Sequence, residues 1–226
     1  MYALPMNEAL ARVAGTLDRL PIFPLPETVL FPHVLLPLHI FEPRYRRMVE
    51  DCLAGPRVLA MALIRPGAET EHLARPPVCD VAGAGVILHE ERLPDGRFNI
   101  ALRGVARVAI EAELATDTPY RLVRGRLLLD EYPPGGPDAL DRELTTLKLC
   151  YLRLAAELPG TSEDLTKFVT RARDPSLLVD VIASVSIPDV VERQRLLEMA
   201  SVRERLRRVT QAVGDFILTL DVRRSG

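Results

Sequence analysis

Six prolines fall within Leu20–Cys52, LPIFPLPETVLFPHVLLPLHIFEPRYRRMVEDC, set in and between short apolar runs. Proline has no backbone N–H to give to a β-ladder. The runs between Pro21, Pro24, Pro26, Pro32 and Pro37 are therefore confined to short or edge strands. Yet Ile22, Phe23, Leu30, Phe31 and Ile40 demand a folded core. Val34 to Ile40 reads as a buried strand, with Pro37 marking an edge or a bulge. Glu42-Pro43 then opens a helix, Glu42 at the cap and Pro43 in the first turn, where a missing N–H costs nothing. Tyr45, Met48, Val49, Cys52 and Leu53 form one helical stripe. Gly55 is the expected left-handed stop.

From Arg57 to Glu131 the pattern is strand-like. VLAMALI (58–64) has the continuous apolar character of a strand buried on both faces. Leu93-Pro94-Asp95-Gly96 is a turn, because proline presets one dihedral and glycine accepts a positive φ. Phe98, Ile100 and Leu102 alternate with more polar or smaller neighbours, so one face of that strand is buried. Gly83 and Gly85, two apart, signal a bulge or a tight corner. About six or seven short strands with an early helix favour a closed or half-closed barrel over a sandwich. Glu131 to Pro137 (EYPPGGP) is the clearest boundary, and the chain beyond it is helical. Leu140, Leu144, Leu147, Tyr151, Leu154 and Leu158 make one seam, and Val202, Leu206, Val209, Val213, Phe216 and Leu220 another. The expected class is α+β: a leader at 1–18, a six-stranded barrel with one inserted helix at 19–131, a linker at 132–137 and a helical bundle at 138–221.

Composition narrows the function. The chain has 226 residues and a formal net charge of -2, and the charges balance on both sides of Glu131. That is not the basic excess of a nucleic-acid binder. Three scattered cysteines (Cys52, Cys79, Cys150) support neither a disulfide framework nor a zinc site, and Cys52 is expected as a buried free thiol. Nowhere do about 18 uncharged apolar residues run together, so no membrane span is expected, and the cytoplasm is the natural compartment. His33, His39, His72 and His89 lack ligand spacing. Glu90-Glu91 and Asp130-Glu131, as strand neighbours, point to opposite faces and cannot share a proton. Arg203, Arg205, Arg207 and Arg208 cluster on the last helix without interleaved aromatics, which reads as a solvated face. No catalytic, cofactor or metal residue is assigned.

The residues also support a family. LPIFPLPETVLFPHVLLPLHIFEPRYRRMVEDCLAG resembles the opening of the N-terminal substrate-binding domain of Lon proteases. LPDGRFNIALRGVARVAI resembles that family's second hairpin, and DPSLLVDVIAS and RQRLLEMASVRERLRRV its helical tail. Ala200-Ser201 departs from the acidic residue that the family tends to carry there, which implies a weaker helix cap. The resemblance implies a PUA-like six-stranded barrel followed by a helical bundle. The machinery of a whole Lon protease is not encoded in the chain: no glycine precedes a lysine anywhere, so there is no phosphate-cradling loop of the G-x-x-x-x-G-K-[ST] kind. Nor does Lys148 or Lys167, each on a bundle helix, lie in a Ser-Lys peptidase motif.

Together these readings lead to the expectation of a stand-alone, non-enzymatic module that binds exposed apolar or unfolded protein segments. Phe31, Pro32, His33, Glu42 and Arg44 are the candidate contacts. An RNA-binding PUA-like protein and an adaptor within a larger complex are the alternatives. Client identity and oligomeric state are not readable from the sequence.

Overall fold

The computed structural model describes residues 4–68, 75–158 and 162–225, without the side chains of 221–225. His72 lies outside these described residues. The chain divides into two compact units, Met1–Leu129 and Asp130–Gly226.

Among the described residues the first unit carries six strands, β1 (Leu20–Leu25), β2 (Leu35–Ile40), β3 (Val58–Leu63), β4 (Val81–Arg92), β5 (Phe98–Glu113) and β6 (Arg121–Leu128). Helix α1 (Met6–Ala14) precedes them, and α2 (Pro43–Ala54) lies between β2 and β3. Five strands pair in a closed ring: β5 with β4, β4 with β3, β3 with β1 in parallel, β1 with β6, and β6 back to β5. The sixth, β2, stands outside that ring. It runs antiparallel to the first part of β5, from Leu35 opposite Arg103 to Ile40 opposite Phe98. β6 pairs with β5 from Arg107 to Glu113, and β4 with β5 residues 98–109. One edge of the long β5 is thus filled by β4, and the other is shared end to end by β2 and β6.

Two apolar clusters flank the sheet. Leu59 and Met61 of β3 join Tyr45, Met48, Val49 and Cys52 of α2, whereas Val58, Ala60 and Ala62 join Ala9 and Val13 of α1. This two-sided burial is why β3 reads as an uninterrupted apolar run. Part of 1–18 packs on the same sheet. Ala9 and Val13 are fully buried, so the amphipathic pattern there belongs to a packed helix.

Glycines let the proline-rich segment lie directly on the sheet. A Cβ at Gly83 would sit 1.9 Å from the Leu30 carbonyl oxygen, and one at Gly104 would sit 2.0 Å from that of Phe31. No side chain fits at either distance, so the backbone approach requires glycine. The register of β4 on β5 also shifts between Ala84 and Gly85, the irregularity that the paired glycines signal. Gly96 has φ 80° and closes its turn with an N–H to the Leu93 carbonyl at 2.9 Å. Gly55 differs from expectation: its φ is -122°, and the left-handed residue is Arg57, with φ 66°. The Arg57 N–H reaches back to the Cys52 carbonyl at 2.9 Å, so the chain reverses two residues later than the glycine suggests.

The second unit holds α3 (Asp141–Glu157), α4 (Glu163–Arg171), α5 (Pro175–Ser186), α6 (Val190–Glu198) and α7 (Val202–Ser225). The α3 seam from Leu140 to Leu154 is buried. On α7, Val202, Leu206, Val209 and Val213 are buried, but the next core residue is Ile217, and Phe216 is 40% exposed. A helix of 3.6 residues per turn drifts off a strict 4-3-4-3 spacing, and by the fifth position the inner face has moved on by one residue. Ser201 supplies a cap after all, its Oγ accepting the Glu204 N–H at 3.4 Å. Glu131, just before the expected linker, is bridged to Ser201 within the helical unit.

Candidate functional site

β2 ends the strand order, so its outer edge has no strand beside it among the described residues. One bond determines which backbone groups face that edge: Gly104 donates its N–H to the Val34 carbonyl at 2.8 Å. Backbone groups alternate sides along a strand, so Val34, Leu36, Leu38 and Ile40 turn theirs towards β5. Leu35, Pro37 and His39 turn theirs outward. Pro37, with no N–H to lose, occupies the position where a proline costs least. The free edge therefore offers the N–H groups of Leu35 and His39 and the carbonyls of Leu35, Pro37 and His39.

The side chains around this edge are apolar on both faces. Leu35 is 56% exposed and Phe41, just past the strand, 61% exposed. Val34, Leu36 and Leu38 lie partly buried against the core on the other face. The strand is thus half-exposed, where the sequence suggested a buried one. Its period-2 alternation is masked because leucine occupies both sides. From Thr28 to Phe41 there is no Asp, Glu, Lys or Arg. Polar groups begin at the Phe41 end. The His39 Nδ1 and Asn99 Oδ1 are 2.8 Å apart, Asn99 Nδ2 donates to Glu91 at 2.8 Å, and the Arg97 guanidinium meets the other ring nitrogen at 3.2 Å.

The five residues named from sequence bracket this strand and do not form its edge. Phe31 is fully buried and Pro32 is buried, so neither offers a side chain to a partner. The cause of this burial is the close seating of the segment on Gly83 and Gly104. His33 is left-handed, with φ 68°, and gives its N–H to the Gly104 carbonyl at 2.8 Å, which turns the chain into β2. At the other end, roughly 20 Å of strand away, Glu42 precedes α2 without capping it through its side chain. Its carboxylate instead accepts from Arg44 Nε at 2.9 Å and Nη2 at 2.8 Å. The Arg44 guanidinium also lies 4.7 Å from the Tyr45 ring centre. What sequence reasoning missed is the exposed row Leu35, Pro37, His39 and Phe41. The strict two-residue spacing of those positions was the available signal.

The helical unit has its own apolar feature, a cavity of about 450 Å³ lined by Tyr151, Leu154, Leu158, Leu165, Ile187 and Phe216 among others. The arginine cluster of α7 differs from the solvated face that was expected. Arg205 is 1% exposed and ion-paired with Asp130 at 2.8 Å and Asp180 at 3.4 Å. Arg203 pairs with Glu143 at 3.0 Å, and Arg208 donates to Glu192 at 2.9 Å. Arg203, Arg205 and Arg208 are thus cross-links within the helical unit, whereas Arg207 is 66% exposed.

Burial pushes the Cys52 thiol up to about 12, and its Sγ donates to the Val58 carbonyl at 3.2 Å, so it is an inert core thiol. Among the described residues no three of His, Cys, Asp and Glu gather as a metal set. No helix among them is long and apolar enough to cross a membrane.

Residues 19–214 match the family described as the ATP-dependent protease La (LON) substrate-binding domain. Lon protease 2 of Herpetosiphon aurantiacus is 30% identical over 213 residues, covering 92% of this chain and 25% of that protein. The Lon protease of Dictyoglomus thermophilum is 27% identical over 191 residues, covering 84% and 24%. This chain therefore spans about a quarter of the length of these curated relatives. Two solved structures share the fold. The N-terminal domain of a Mycobacterium avium complex Lon protease has a TM-score of 0.70 at 21% identity, covering 88% of this chain and 99% of that one. A Lon N-terminal domain protein from Xanthomonas campestris has a TM-score of 0.60 at 20% identity, covering 85% and 96%. The chain belongs to the Lon substrate-binding domain family.

Proposed function

We propose that this protein is a non-catalytic recognition module that captures extended apolar segments of unfolded polypeptides by adding them as a strand to β2. Family membership supports substrate recognition. The observation that carries the mode is the open edge of β2 between Leu35 and Phe41, 56% and 61% exposed. An unfolded segment brings unpaired backbone donors and acceptors, and this edge supplies their complement. Apolar side chains on both faces of β2 select a segment that is itself apolar on both faces, as in strands that folded proteins keep inside. In this reading the five-membered ring with its appended strand is the family's PUA-like barrel. ATP hydrolysis and peptide-bond cleavage belong to other proteins or other segments, to which this module delivers its client.

A fluorescent apolar peptide and its twin, N-methylated at alternate amides, test the mode by anisotropy. The expected result is binding that salt leaves unchanged and that N-methylation of the edge-facing amides abolishes. Equal binding of both peptides refutes strand addition. RNA binding that falls steeply with salt, without peptide binding, refutes the protein-recognition reading as a whole.

A further inference from the structure

We infer that β2 is also a self-recognition edge: without a client, two copies of this chain pair their β2 strands antiparallel about a two-fold axis through Pro37. This use of the edge goes beyond client binding and depends only on the geometry of β2.

The pattern of donors and acceptors is self-complementary in one register. The outward groups are the N–H and C=O of Leu35, the C=O of Pro37, and the N–H and C=O of His39. Setting Pro37 opposite Pro37 of the second copy places Leu35 opposite His39, and His39 opposite Leu35. Each of these two pairs exchanges both of its hydrogen bonds. The one pair that can exchange none is the pair of prolines facing each other. Every N–H on the edge is then used. Shifting the register by two residues sets Pro37 against Leu35 or His39, whose C=O then loses its donor because proline has no N–H.

The side chains do not oppose this pairing. Edge strands are ordinarily guarded by charge, and lysine in particular blocks pairing with a second chain. β2 has no such guard, because no charged residue occurs from Thr28 to Phe41. His39, which would face Leu35 of the second copy, is held between Asn99 and Arg97. Pairing would also cover part of the exposed apolar surface at Leu35 and Phe41. A client and a second copy cannot occupy the edge together, so self-pairing protects the edge and sets a threshold that a client must exceed.

Charge exchange at the two-fold position tests this register. Pro37 is exposed, so neither Pro37→Lys nor Pro37→Glu disturbs the core, which circular dichroism confirms. Analytical ultracentrifugation should show a concentration-dependent dimer for the native protein. Each variant alone should dimerise at least about tenfold more weakly, because like charges meet directly across the axis. An equimolar mixture of the two variants should recover association as a heterodimer. A native protein that stays monomeric overturns the proposal, as does a dimer indifferent to both variants or variants whose mixture associates no better than either alone. Peptide anisotropy at dilutions where the protein is monomeric reports on client binding separately, so either use of the edge can fail without the other.

Discussion

The Gly104 N–H and the Val34 carbonyl, 2.8 Å apart, determine which side of β2 the rest of the molecule sees. That bond turns the even-numbered residues of β2 towards β5 and leaves Leu35, Pro37 and His39 facing outward. The same Gly104 must be bare for the Phe31 backbone to pass over it. One residue thus anchors the proline-rich segment and orients the candidate binding edge.

Gly104→Ala should therefore be strongly destabilising, by roughly 3 kcal/mol, since a Cβ would lie 2.0 Å from a backbone oxygen that cannot rotate away. Gly214→Ala is the matched control. It lies within α7 with nothing within 4 Å of the added methyl, and it should stabilise by about 0.5–1 kcal/mol through helix propensity. Urea denaturation of both variants checks the pair. A neutral Gly104→Ala would mean that Phe31 does not seat against β5.

Arg205 ties three parts of the helical unit together. Besides its ion pairs with Asp130 and Asp180, it donates to the Met199 carbonyl at 2.8 Å and to Ser176 Oγ at 2.8 Å. Arg205→Ala should cost about 3–5 kcal/mol, because it removes the guanidinium paired with the buried carboxylate of Asp180 and the half-buried one of Asp130. The double change Arg205→Met with Asp180→Leu should recover much of that loss, since a packed apolar pair replaces a desolvated ionic one. Thermal denaturation of the single and double variants distinguishes this account from one in which Arg205 merely fills space.

Hydrogen bonding from Arg208 holds the Glu192 carboxyl below its usual range, with Arg195 adding to the effect. A carboxyl depressed by folding contributes stability above its unfolded pKa, about 4.3, and loses it as pH falls through the lower folded value. Arg208→Ala should therefore cost about 0–1 kcal/mol at pH 7, as for an exposed pair, and flatten the acid limb of the stability profile. Denaturant midpoints from pH 7 down to pH 3 measure both effects. Parallel acid limbs for the two proteins would show that the pair does not couple to folding.

The core thiol gives a kinetic readout. With Cys52 pushed up to about 12 and 4% exposed, it should resist alkylation in the native state and react only through unfolding. Mass spectrometry of iodoacetamide-treated native and urea-unfolded protein checks this. Rapid native labelling at Cys52 would contradict the packing of α2 on β3.

The elements legible in the sequence were those whose signal is local. The Glu42-Pro43 helix start, the Tyr45–Cys52 stripe, the Asp95-Gly96 turn and the α3 seam each depend on residues a few positions apart. The features that sequence reading placed wrongly depend on distant partners. Phe31 reads both as a core residue and as a candidate contact, and its burial is decided by Gly83 and Gly104, far along the chain, which admit the backbone of Leu30 and Phe31. Arg205 resembles its solvated neighbours until Asp180 and Asp130 are found beside it. The binding edge was half legible. Pro37 marked an edge strand, but leucines on both faces hid which residues point outward.

Amide hydrogen exchange on β2 tests the central claim most directly. The Leu35 and His39 amides should exchange rapidly in the dilute free protein, whereas those of Leu36 and Leu38, turned to β5, should be protected. Saturating apolar peptide should slow Leu35 and His39 specifically. Contradiction would come from outward amides already protected in the free monomer, or from peptide-induced protection elsewhere that leaves these two unchanged.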